Sequence, residues 1–155
     1  MELTEANKIE ISEILKRYPT KQAALLPVLW IVQNEFGWIS PGAMELVAKT
    51  LDVSPAHVYG VVTFYTMYHQ KKPGKYHLQV CQTLSCAMMG GEKILNCLRK
   101  SLGIEVGETT PDGKFTLTTV ECLASCGTAP AMMMNEKYYE NLTPEKIDEI
   151  LESFK

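Results

Sequence analysis

Residues 75–82, "KYHLQVCQ", alternate in character: Tyr76, Leu78 and Val80 fall on one side, His77, Gln79 and Cys81 on the other. A period of two marks a β-strand. The strand ends at Cys81 and opens the stretch "VCQTLSCAMMGG" (80–91), where Cys86 follows after four residues. Next comes "GEKILNCLRKSLG" (91–103), with Ile94, Leu95, Leu98 and Leu102 at helical spacing and Gly103 as the stop. The turn Pro111-Asp112-Gly113 leads into a second strand, rich in Thr and Val, that ends at Cys122. In "ECLASCGTAP" (121–130), Cys126 follows Cys122 after three residues. "APAMMMNEKYYENL" (129–142) reads as a hairpin turning near Asn135 and Glu136. "TPEKIDEILESF" (143–154) reads as a helix with Thr143 as cap and Pro144 in the first turn. The order β-α-β-β-α predicts one small mixed sheet covered by helices.

Upstream, the first 70 residues read as helical. Thr4 is a candidate N-cap for a helix carrying Ile9, Ile11, Ile14 and Leu15. "TKQAALLPVLWIVQNEFG" reads as a helix from Thr20 to Gly37, and Ser40-Pro41 and Ser54-Pro55 each announce another. The last of these, "SPAHVYGVVTFYTMY", is read as continuing to Tyr68, with the aromatics of "TFYTMY" on a core or partner-facing side. The polar run Lys71, Lys72, Pro73, Gly74 and Lys75 is a hinge, and divides the chain into an N-terminal helical domain, 1–72, and a second domain, 73–155. The fold class is therefore α+β, an N-terminal helical bundle followed by an α/β domain with a small mixed sheet whose arrangement resembles thioredoxin.

The net charge of −3 argues against a nucleic-acid binder, which would show a basic face. The longest clean apolar run, "AALLPVLWIV" (23–32), is half of what a bilayer needs and contains Pro27, so no membrane insertion is expected. "MELTEANKIE" has no basic segment before an apolar core, and a cytosolic, reducing location is expected. There, clustered cysteines bind metal or do redox chemistry more often than they form disulfides.

If the two strands are parallel neighbours, both cysteine pairs emerge at one end of the sheet. Four thiolates from adjacent loops then suit a [2Fe–2S] cluster, with Cys81 and Cys86 on one iron and Cys122 and Cys126 on the other. Zinc is the rival reading, because its cysteine pairs tolerate spacings of up to about four residues. Gly90, Gly91 and Gly127 are expected to let backbone N–H groups approach sulfur. Thr83, Ser85, Ser125 and Thr128 are expected to offer hydroxyl donors, and Ala87, Met88, Met89 and the methionines at 132–134 to exclude water. Cys97 reads as a packing residue of its helix. "GETTPDGKF" (107–115) is one residue too long for a phosphate loop, and no G-x-G-x-x-G is present. His57, His69 and His77 are dispersed and read as surface or core residues.

From "RYPTKQAALLPVLWIVQNEFGWIS" through "VYGVVTFYTMY", "GKYHLQVC" and "VGETTPDGKFTL" to "YYENLTPEKIDEIL", the chain resembles the thioredoxin-like [2Fe–2S] subunits of NADH:quinone oxidoreductase, respiratory complex I. Its pattern of two cysteines with four residues between, 35 residues, then two with three between, matches that family at Cys81, Cys86, Cys122 and Cys126. The resemblance implies one [2Fe–2S] cluster on those cysteines. It implies docking on a flavoprotein subunit that holds FMN, binds NADH and carries a [4Fe–4S] centre. Other iron–sulfur subunits of the peripheral arm would be neighbours, at the cytoplasmic face of the inner membrane. Related subunits serve NAD-linked hydrogenases and formate dehydrogenases. The chain departs from the family in carrying Ser85 where proline is common and Ala124 where glycine is common. If that glycine has φ > 0, Ala124 strains its loop.

Overall fold

The structure, a computed structural model, describes residues 1–154. Two compact units are present, Met1–Lys72 and Pro73–Lys155.

The first unit holds four helices, α1 (Glu5–Leu15), α2 (Leu25–Phe36), α3 (Pro41–Leu51) and α4 (Pro55–Phe64). Three begin on a side-chain cap: Thr4, Ser40 and Ser54 accept from the N–H of Asn7, Ala43 and His57. α2 begins later than Thr20. A 3-10 turn, Gln22–Ala24, precedes it, and Pro27 occupies its third position. A continuous α-helix from Thr20 would require the missing Pro27 N–H, whereas in the first turn that donor has no helical partner to lose. Gly37, at φ +79°, ends α2 in the left-handed region. Leu25, Val28, Leu29 and Val32 on α2 and Met44, Val47, Ala48 and Leu51 on α3 form the core with Ile11, Ile14, Val58 and Val62. α4 stops at Phe64 rather than Tyr68. Beyond it, the Gln33 amide donates to Met67 O at 2.9 Å and accepts from the His69 N–H at 2.6 Å. The Tyr68 hydroxyl donates to Leu26 O at 2.8 Å. The Tyr65 N–H keeps the last helical bond, to Val61 O at 3.1 Å, and beyond it these part-buried bonds take the place of helical ones. The aromatic run thus splits: Tyr68 joins the core, while Phe64 and Met67 are exposed.

The second unit is a four-stranded mixed sheet in the order β2-β1-β3-β4, with β1 Tyr76–Cys81, β2 Phe115–Val120, β3 Met132–Met134 and β4 Lys137–Tyr139. β1 and β2 are parallel, from Tyr76 opposite Phe115 to Cys81 opposite Val120. β3 runs antiparallel to both β1 and β4, turning at Asn135 (φ +54°). The connection from β1 to β2 passes through two helices, the short α5 (Leu84–Met88) and α6 (Gly91–Leu102), and α7 (Pro144–Glu152) closes the unit. Ile94 and Leu98 of α6 and Ile147 and Leu151 of α7 pack with Leu78, Val80, Leu117, Met132 and Met134 of the sheet. Cys97 packs at the margin of this core. Among the described residues, no helix is long and apolar enough to cross a membrane.

Candidate metal centre

Because β1 and β2 are parallel and in register, both cysteine loops leave the same end of the sheet. Cys81 is the last residue of β1, and Cys122 follows the end of β2 by two residues. Cys86 lies on α5, and Cys126 begins a 3-10 turn, Cys126–Thr128. Cys81 and Cys86 are buried in a small cluster with Leu123, Ala129 and Ala131, whereas Cys122 and Cys126 are exposed. All are thiols in this structure. Among the described residues, no three His, Cys, Asp or Glu side chains stand together as a site for one ion.

The sulfurs are met by backbone donors. Burial pushes the Cys81 thiol up, but the N–H groups of Thr83 and Leu123, with the Cys86 thiol and the Thr83 hydroxyl, outweigh it and bring Cys81 below the ordinary cysteine range. Burial raises the Cys86 thiol, as do Cys81 and the charge of Cys126, against the Ala131 N–H. The Ala124 N–H donates to Cys122 Sγ at 3.2 Å. The donor set fits a [2Fe–2S] centre: two thiols on each of two adjacent loops, with the Ala124 N–H bonded to Cys122 Sγ and backbone N–H groups that favour the Cys81 thiolate.

Some supporting residues act as expected and others do not. Ala124 does adopt φ +56°, the left-handed conformation its replacement of a glycine would make strained. Gly91 provides clearance: a Cβ there would lie 2.8 Å from the Cys86 carbonyl oxygen. Ser125 and Thr128 turn their hydroxyls to Glu140, whose carboxyl they hold below its usual range. Of the residues expected to exclude water, Met88 and Met89 are exposed and Met132 and Met134 belong to the sheet core, while Met133 packs against the cluster around Cys81 and Cys86. Glu140 escaped the sequence reading because its partners lie 12 and 15 residues away in the chain. The histidines are scattered. His57 Nε2 lies 3.2 Å from Gln22 Nε2, and His77 is buried with Nε2 2.8 Å from Thr118 Oγ1. Burial holds the His69 ring below its ordinary value.

The sequence profile of the thioredoxin-like [2Fe-2S] ferredoxins matches residues 11–155. The chain belongs to this family. Membership agrees with the thioredoxin-like arrangement of the sheet. Among similar proteins, the chain is 44% identical over 146 residues to a subunit of NADH-quinone oxidoreductase from Rhizobium meliloti, covering 94% of this chain and 87% of that one. It is 44% identical over 144 residues to NADH-quinone oxidoreductase subunit 2 of Thermus thermophilus, covering 91% and 80%. A solved NAD+-reducing [NiFe]-hydrogenase in the air-oxidized state shares the fold, with a TM-score of 0.73 at 20% identity. That match covers 83% of this chain and 22% of the hydrogenase chain.

Proposed function

We propose that this thioredoxin-like ferredoxin is the electron-transfer subunit of an NADH:quinone oxidoreductase, holding one [2Fe–2S] cluster on Cys81, Cys86, Cys122 and Cys126. What carries the reading is the parallel register of β1 and β2, which opens both cysteine loops at one end of the sheet. The 44% identity to a subunit of that enzyme from Rhizobium meliloti supports it. The cluster, when bound, supplies one-electron storage and release. The chain's own part is to ionise and orient the thiols. The Thr83 and Leu123 N–H groups favour the Cys81 thiolate, and the Ala124 N–H donates to Cys122. No side chain here is assigned acid–base chemistry. FMN and NADH belong, in this reading, to a partner flavoprotein subunit with a [4Fe–4S] centre, within the peripheral arm of the complex on the cytoplasmic side. The equivalent place in an NAD-linked hydrogenase or formate dehydrogenase is a weaker reading, since the hydrogenase likeness is one of fold.

Anaerobic purification, iron and sulfide counts, and EPR after dithionite test the assignment. About two iron and two sulfide per chain are expected. Cys97→Ser should keep the cluster and Cys126→Ser should lose it. A colourless chain with one zinc and no sulfide would sink the reading, and loss of the cluster in Cys97→Ser would overturn the ligand set. Co-expression with the flavoprotein subunit should give a complex stable to gel filtration.

A further inference from the structure

Glu140 follows the last residue of β4 and reaches back to the second cysteine loop. Its Oε1 accepts from the Thr128 hydroxyl at 2.5 Å and from the Ser125 hydroxyl. The two hydroxyl oxygens are themselves 2.7 Å apart. Backbone bonds run alongside, from the Asn141 N–H to Thr128 O at 2.7 Å and from the Leu142 N–H to Pro130 O at 3.1 Å. Ser125 immediately precedes Cys126 and Thr128 lies two residues beyond it, so one carboxylate grips the loop on both sides of the cysteine. Each hydroxyl carries a single hydrogen, and a carboxylate is the strongest kind of acceptor it can meet. A hydrogen held by Glu140 is withheld from sulfur.

We propose that Glu140 is a positioning residue for the cluster. It holds the Cys126 loop in its ligating shape, and it keeps the reduction potential low by occupying both hydroxyls and setting a negative charge beside the loop. The proposal rests on reading Cys122 and Cys126 as cluster ligands. Hydrogen bonds donated to ligand sulfur, and the loss of a nearby negative charge, both favour the reduced and more negative centre. Glu140 opposes both.

Three variants of the full chain, Glu140→Ala, Glu140→Gln and Glu140→Asp, test this by two measurements. The first is amide hydrogen exchange across residues 122–128 of the metal-free chain, which needs no cluster. Exchange should quicken in Glu140→Ala and be partly restored in Glu140→Asp. The second is an EPR-monitored redox titration of the loaded chain. At the wild-type midpoint, the reduced-to-oxidised ratio should rise about threefold in Glu140→Ala and Glu140→Gln, where a tenfold rise equals about 59 mV for one electron. Glu140→Asp keeps the charge and should stay near the wild type. A merely structural glutamate would speed iron release without moving the midpoint. Unchanged exchange in Glu140→Ala overturns the clamp, and an unmoved midpoint in both Glu140→Ala and Glu140→Gln overturns the tuning. A wild-type chain lacking iron and sulfide sinks the cluster reading instead, and the exchange result then decides on the clamp alone.

Discussion

Ala124 stands at φ +56° between two proposed ligands, with its N–H on Cys122 Sγ at 3.2 Å. An L-residue with a Cβ costs about 1–2 kcal/mol in this left-handed region. Glycine escapes that cost but gains backbone freedom when unfolded, which returns roughly 0.4–1 kcal/mol. Ala124→Gly should therefore stabilise the metal-free chain by about 0.5–1 kcal/mol, raising Tm by a few degrees at ~2–4 °C per kcal/mol for a chain of this size. Ala124→Val should lower it, because a β-branched side chain crowds the left-handed region further. Calorimetric melts of the three chains check this, and a glycine variant no more stable than the wild type removes strain from the account. The strain was legible because it follows from one residue's identity against a motif. Glu140 was not, since its role exists only once the β3–β4 hairpin brings it back to Ser125 and Thr128. The same holds for the acceptor of the two hydroxyls. Sequence shows that Ser125 and Thr128 can donate, and only the folded hairpin shows to what.

The junction between α5 and α6 is where the first cysteine loop is built. A Cβ on Gly91 would sit 2.8 Å from Cys86 O and 3.3 Å from Cys81 O, so the start of α6 is pressed against the backbone of both cysteines. Those contacts are to main chain, which cannot swing aside as a side-chain tip would. Gly91→Ala should then cost about 1–3 kcal/mol, the range for overpacking. It should also loosen the first ligand pair. Urea unfolding of the metal-free chain, with iron retention in the loaded one, measures both; equal midpoints for variant and wild type would mean that the loop yields freely. At this scale, legibility follows the range of the forces involved. The starts of α3, α4 and α7 were readable because a Ser or Thr cap followed by proline is local chemistry: Ser40 Oγ accepts from the Ala43 N–H at 3.1 Å, and Thr143 Oγ1 from the Lys146 N–H at 3.3 Å. α5 has five residues, too few to show a period, and its apolar Leu84 and Met88 point outward. The end of α4 is set by Gln33, 34 residues from Met67, which no local pattern records.

Each unit of the whole molecule has an apolar core of its own. The first runs from Leu3 to Tyr68, and the second draws on Leu78 through Leu151, with a satellite around Cys81 and Cys86. Between Tyr68 and His77 no residue is buried, and this interval contains the run from Lys71 to Lys75. Within that run, the Gly74 N–H is bound to Thr116 Oγ1 at 2.6 Å, so a chain starting at Pro73 would keep its first tie to the sheet. A piece of about 80 residues has a core of modest stabilising power, and ligand binding then adds directly to folding free energy. Residues 73–155 alone should accordingly load about two iron and two sulfide. Once loaded, they should melt in a single transition, at a Tm well above that of the same piece without metal. Residues 1–72 alone should give a helical circular dichroism spectrum and take up no iron. If 73–155 stays molten under conditions in which the full chain loads normally, the second core does not suffice by itself.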